Sequence, residues 1–128
     1  MSAVSNYLRN EFVEDYLRGA TTLWIGLFEN NPNPSFNGST TETTYTGYER
    51  QVITFTAYDS LTEGITNNSN IIFPPNTGAT SATVAYAAVT DSKTEGNLFL
   101  FGPLAFEQTI SPSNLLIIPT TELTLRVL

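Results

Sequence analysis

The chain has 128 residues, enough for one domain with a modest core and too few for two, so we predict a single domain over residues 1–128. Hydrophobic residues make up 41% of the chain and charged residues 13%, which argues against disorder and favours a β protein with polar loops. Because the net charge is −7 and the basic residues are few and scattered, nucleic acid and membranes are not expected partners.

Two residue types are absent from the sequence, and their absence limits its chemistry. Without histidine there is no Ser-His-Asp triad, and the commonest zinc sites are also excluded. Without cysteine there is neither a disulfide nor a thiolate metal site. Carboxylates remain, but no pattern in the sequence brings a pair of them together in a cleft. We therefore predict a protein that is not an enzyme and that uses no cofactor.

An α-helix is predicted first in the chain, over residues 2–18, with Ser2 or Ser5 as its cap and Gly19 directly after its end. Its apolar residues are spaced so that they cover one side of the helix. A side this broad must be buried, either on the sheet of this domain or on a neighbouring subunit. The apolar residues are Leu8, Phe12, Val13, Tyr16 and Leu17.

Strands and loops are predicted for the remainder, residues 21–128. Residues 23–28 are apolar on both faces, so this strand should be covered on both sides. Polar, turn-rich loops are expected at 29–44 and 56–70. Further strands are predicted at 50–55, 71–73, 83–89, 98–101, 115–118 and 123–127. Strands at this spacing indicate a mainly β fold, an antiparallel β-sandwich or jelly-roll of about seven to eight strands.

The aromatic residues fall into two groups. Those within strand patterns are predicted to pack in the core, and they are Trp24, Phe55, Tyr86, Phe99 and Phe101. Those within loops are the candidates for surface aromatics that could stack on a sugar, and they are Phe36, Tyr45 and Tyr58. A glycan-binding function therefore stays open as an alternative.

The order of short motifs resembles a family of short bacteriophage virion proteins described as tail-fibre or phage structural proteins. The first motifs are a helix ending in Leu17-Arg18-Gly19, the strand Trp24-Ile25-Gly26-Leu27-Phe28 and the box Gly47-Tyr48-Glu49-Arg50-Gln51. Later motifs are Asn70-Ile71-Ile72-Phe73-Pro74, a strand from Val84 to Asp91, Gly96-Asn97-Leu98, and Leu123-Thr124-Leu125. One departure is Ser113-Asn114, where the family often has Gly-Asp. The box itself suggests that Arg50 anchors Tyr48 or a carboxylate.

This resemblance implies a structural protein located in the virion, made in the host cytoplasm because no signal peptide or membrane-spanning run is present. We expect a homo-oligomer, a trimer, that contacts other virion proteins of the capsid or tail. A capsid cement or decoration protein and a compact tail appendage both suit the length. The alternative is a receptor-binding module for a host-surface glycan. The predicted assembly interface consists of Leu8, Phe12, Val13, Tyr16, Leu17 and Trp24.

Overall fold

The computed structural model describes residues 4–32 and 42–126. Within these ranges the fold is mainly β, with eight strands, antiparallel pairing throughout and one helix near the start of the chain, as the sequence predicts. In the part of the chain that is described, no helix is long and apolar enough to span a membrane.

The helical region is shorter than predicted and has two parts. The α-helix α1 runs over Asn6–Phe12, and Ser5 caps it by accepting a hydrogen bond from the Leu8 N–H. A π-helical turn follows at Val13–Leu17, in which the Arg18 N–H donates to the Val13 carbonyl. The prediction of a helix from residue 2 is therefore wrong at residues 4 and 5, which precede α1. Residues 2–3 lie outside the described ranges.

A four-stranded sheet forms the larger β element. It contains β1 (Leu23–Phe28), β2 (Gln51–Ile53), β5 (Ala82–Thr90) and β6 (Leu98–Ile110), in the order β2-β1-β5-β6. Central β1 is buried along almost its whole length, which confirms that it is covered on both faces. The register pairs Trp24 with Val52 on one side and with Thr90 on the other.

Two short ribbons complete the β structure. Strand β3 (Gly64–Thr66) pairs with β8 (Thr124–Arg126), and β4 (Ile71–Ile72) pairs with β7 (Ile117–Ile118). The prediction of a polar loop at β3 was wrong. This strand has three residues, and Ile65 is its only large apolar residue, so the sequence shows no alternating pattern there. Residue 127 of the last predicted strand lies outside the described ranges.

One core joins the helical region, the sheet and the ribbons. Leu123 and Leu125 of the last predicted strand are partly buried and pack against this core. Among the core aromatics, Phe55 is buried as predicted, but Phe101 is 41% exposed, contrary to prediction. The buried members are Val13, Leu17, Leu23, Ile25, Leu27, Tyr45, Ile53, Phe55, Ile65, Ile71, Phe73, Val84, Ala87, Val89 and Ile110.

The β5–β6 hairpin is present as predicted, but β6 extends far beyond the predicted end at residue 101. Between the pairs Val84–Gln108 and Tyr86–Pro103, β5 contributes one residue and β6 contributes the four residues 104–107. This bulge keeps β6 continuous while it changes which side chains face outward. Because Gly102-Pro103 reads as a strand end in the sequence, the second half of β6 was missed.

Candidate assembly surface

The helical region presents opposite sides to the core and to solvent. Val13 is fully buried and Leu17 is 4% exposed, so these two residues attach the region to the core. Arg18 strengthens the attachment, because its guanidinium donates to the Phe55 carbonyl at 2.7 Å. The region is therefore anchored at its π-helical end, and α1 extends from that anchor.

Apolar side chains along the helical region, and one just before its cap, remain exposed. They are spaced four residues apart: Val4 lies before the cap, Leu8 and Phe12 lie on α1, and Tyr16 lies in the π-helical turn, with exposed fractions of 41%, 56%, 39% and 58%. The Phe12 and Tyr16 rings contact each other, with centroids 5.6 Å apart. We call these four residues the helix row. Exposed apolar side chains grouped in this way are typical of a surface that contacts another protein.

The six residues predicted for an assembly interface thus separate into groups. Leu8, Phe12 and Tyr16 belong to the helix row. Val13 and Leu17 are buried in the core of their own chain, the first of the two predicted placements, so they offer no surface to a neighbouring copy. Trp24 is half-buried on β1, with the Lys93 ammonium 5.7 Å from its ring centroid.

A second exposed apolar surface lies on β6, the strand at the opposite edge of the sheet from β2. Phe106, within the bulge, is 78% exposed, and Phe101 lies on the same strand. Sequence reasoning missed this surface because it ended the strand at residue 101. The only signal was the run Leu104-Ala105-Phe106, which follows a proline and lacks a regular period.

A buried polar cluster is built on the Gly-Tyr-x-Arg-Gln box. Arg50 is 2% exposed and binds Glu42 through two hydrogen bonds of 2.8 Å, one from Nε and one from Nη2. Its Nη1 donates to the carbonyls of Ser92 and Glu95, both at 2.9 Å. Arg50 therefore joins the segment before β2 to the turn between β5 and β6.

Tyr48 completes the cluster. Its hydroxyl donates to Glu42 and accepts a hydrogen bond from the Leu27 N–H at 3.0 Å. Burial, followed by the charge of Glu42, raises the pKa of Tyr48 far above its usual range, so the phenol stays protonated. For Arg50, burial lowers the pKa, but the hydrogen bonds and charge of Glu42 raise it overall. The expectation that Arg50 anchors a carboxylate is confirmed.

Gly26 permits this cluster to approach β1. A Cβ atom at this position would lie 2.7 Å from the Glu42 carboxylate and 2.9 Å from the Tyr48 hydroxyl, both shorter than a carbon–oxygen contact allows. Glycine at the centre of the Trp-Ile-Gly-Leu-Phe strand is therefore explained by close packing.

The three predicted surface aromatics have different outcomes. Tyr45 is not a surface residue, because it is 9% exposed, its hydroxyl donates to the Pro74 carbonyl at 2.6 Å and its ring meets Tyr48 edge-on. Tyr58 is half-buried, and its hydroxyl lies 3.4 Å from Asn6 of α1. Phe36 lies outside the described residues.

The acidic turn residues have structural partners. Asp91 accepts hydrogen bonds from the backbone and side-chain amides of Asn97, at 2.7 and 2.9 Å, and these bonds lower the pKa of Asp91. Within residues 4–32 and 42–126, no three histidine, cysteine, aspartate or glutamate side chains are grouped so that they could hold a metal ion.

These features define a class of protein: a mainly β protein with a buried cluster around Arg50 and exposed apolar side chains on its helical region and on β6. A family model described as "Podophage GP4 fiber I protein gp80" matches residues 3–126. Because the match covers nearly the whole chain, the chain belongs to this family of phage fiber structural proteins. A search of curated proteins found no match.

Proposed function

We propose that this chain is a non-enzymatic structural component of a phage tail fiber, which acts by contact with further copies of itself and with other virion proteins. The family description supports a tail appendage over a capsid decoration protein, because it names a fiber. We also propose that residues 1–128 form one domain, an assignment supported by the single core that joins helix, sheet and ribbons.

The helix row is the observation that carries the assembly proposal. Side chains of this size gain stability when they leave water, yet all four are at least 39% exposed while Val13 and Leu17 already attach the helical region to the core. A contact between two copies joins chains that each carry a charge of −7, so apolar burial has to supply its favourable free energy. The proposed partner of the helix row is another copy, within a trimer.

Static light scattering on purified protein tests this proposal. We expect the wild type to have the mass of a trimer and the variant Leu8→Gln/Tyr16→Gln that of a monomer, because the variant loses the two most exposed members of the helix row while glutamine keeps helix propensity. Leu61→Gln is the matched control, since Leu61 is 92% exposed and lies outside α1. This control should keep the wild-type mass.

Two results would contradict the proposal. A wild type that stays monomeric at high protein concentration would argue against self-assembly. A Leu8→Gln/Tyr16→Gln variant that keeps the wild-type mass would place the contact elsewhere, and the exposed Phe106 of β6 would be the next surface to change. The glycan-binding alternative gains no support from Tyr45, which is buried.

A further inference from the structure

Residues 111–126 form a segment that is separate from the four-stranded sheet. We call this segment the strap. Its strands pair only with β3 and β4, and further backbone bonds run from Phe73 N to the Leu116 carbonyl and from Asn67 N to the Leu123 carbonyl. Most of its side chains are exposed or half-buried. The strap therefore lies on a body that consists of the other described residues.

Three asparagines of the body hold the strap. Asn67, which is fully buried, donates from Nδ2 to the Pro119 carbonyl at 2.9 Å and accepts from the Leu123 N–H at 3.0 Å. The carboxamide oxygen of Asn70 accepts from the Thr120 N–H at 2.9 Å.

Asn76, also fully buried, holds the root of the strap. Its side chain donates to the Ile110 carbonyl at 3.0 Å, and its backbone exchanges hydrogen bonds with Ser113 and Asn114. Asn67, Asn70 and Asn76 therefore form a receptor that recognises the backbone of this particular segment.

The connection between β6 and the strap is a strained turn. The Asn114 N–H donates to the Ser111 carbonyl, which closes a four-residue turn with Pro112 and Ser113 at its centre. Ser113 has φ = 72°, in the left-handed region that glycine tolerates and serine disfavours. Opening this turn releases that strain, and the receptor contacts can be remade with any copy of the strap.

We propose that the strap is exchanged between copies in the assembled protein, so that the receptor of one chain holds residues 111–126 of its neighbour. This inference builds on the self-assembly described under Proposed function. The contacts within the receptor are the same whether the strap comes from its own chain or from a neighbour. The equilibrium between the exchanged and the unexchanged strap is therefore set by the strained turn, which favours exchange, and by the proximity of the two chains.

The absence of native cysteine allows a direct test with engineered disulfides. Thr66 and Thr124 are opposite each other in the β3–β8 register. Thr66 and Thr124 form a non-hydrogen-bonded pair. The next pair along the strands is the hydrogen-bonded one, with Asn67 N–H donating to the Leu123 carbonyl, and the Thr66 carbonyl instead accepts from the Thr56 N–H on the other side of β3. Non-hydrogen-bonded pairs lie about 4.5 Å apart between Cα atoms, close enough for a disulfide.

The experiment co-expresses two full-length chains, a Thr66→Cys variant and a Thr124→Cys variant that carries a size tag. After mild oxidation, we expect a disulfide-linked pair of one tagged and one untagged chain on a non-reducing gel. Each single variant expressed alone serves as the control for linkage between identical positions. A Thr66→Cys/Thr124→Cys chain should likewise form links between chains, and Ser113→Gly in that background should lower the ratio of interchain to intrachain links about fivefold.

The outcomes separate this inference from the self-assembly on which it rests. An oligomer by light scattering in which the double variant forms only intrachain links would overturn strap exchange and leave self-assembly standing. A monomer by light scattering would overturn both. A double variant that is oxidised to neither product, while circular dichroism shows the wild-type fold, would also count against the proposal, since it would show that residues 66 and 124 are not paired in any copy.

Discussion

At the scale of single residues, the strongest interactions serve to hold the fold together. Arg50 joins three parts of the chain through Glu42 and two turn carbonyls, and all of these groups are buried or partly buried. Removing one partner of such a pair leaves a buried charge without compensation, which costs more than the pair itself contributes.

We therefore predict that Arg50→Met lowers the free energy of unfolding by about 3–5 kcal/mol. Methionine keeps much of the apolar volume of the arginine stem, so the loss of stability reports the removal of the guanidinium and not a loss of packing. Adding Glu42→Gln in the same chain should recover part of the loss, because the unpaired carboxylate is then gone. Urea denaturation of the wild type, the two single variants and the double variant at one protein concentration measures these effects.

The exposed pair of Lys93 and Glu49 supplies the matched control, since both side chains are more than half exposed. Lys93→Met should change stability by less than about 1 kcal/mol, as is usual for pairs at the surface. An Arg50→Met loss no larger than this, or a double variant whose losses simply add, would show that the cluster is not a coupled unit.

Individual residues also show why part of the candidate site could not be predicted. The sequence indicated that Arg50 anchors a carboxylate, but Glu42 is one of several carboxylates in polar segments, and only the fold selects it. Tyr45 has the sequence surroundings of an exposed loop residue. It is buried because the Pro74 carbonyl lies within reach of its hydroxyl, a contact between residues far apart in sequence.

At the scale of elements, most strands were predicted and the exceptions are local. Strand β1 and the short strands β2, β4, β7 and β8 lie within predicted strands, and the helical region lies within the predicted range but is shorter. Strand β3 was missed, and β6 was cut short at a proline that the bulge accommodates. The apolar helical residues form two rows of four-residue spacing, one with Leu8, Phe12 and Tyr16 and one with Val13 and Leu17. Only the fold selects the second row for burial.

The turn before the strap gives a prediction at this scale. In a chain that keeps its own strap, Ser113→Gly should raise the free energy of unfolding by about 0.5–1 kcal/mol, because glycine adopts φ = 72° without the strain that serine has there. Thermal unfolding at fixed protein concentration measures the effect.

Ser60→Gly is the control for that comparison, because Ser60 is an exposed turn residue that is not among those with positive φ. There the added freedom of the unfolded chain should lower stability slightly. If Ser113→Gly were no more stable than Ser60→Gly, the strain assigned to the turn would be wrong.

At the scale of the whole molecule, the described residues combine a buried cluster around Arg50 with apolar side chains that stay exposed on the surface. The helix row and Phe106 of β6 lie on different elements, so a single copy can offer more than one contact. The sequence predicted an apolar side on the helix, but which of its residues stay exposed, and the exposed Phe106 within the bulge, became clear only from the fold. Membership of the fiber family agrees with a role in assembly.

The central claim is that this chain is a fiber component at the tail of the virion, and immunogold labelling of intact phage particles tests it most directly. Antibody raised against the purified chain should place gold at the tail end of each particle, with none on the capsid. Gold distributed over the capsid, or particles that lack the protein altogether, would contradict the claim.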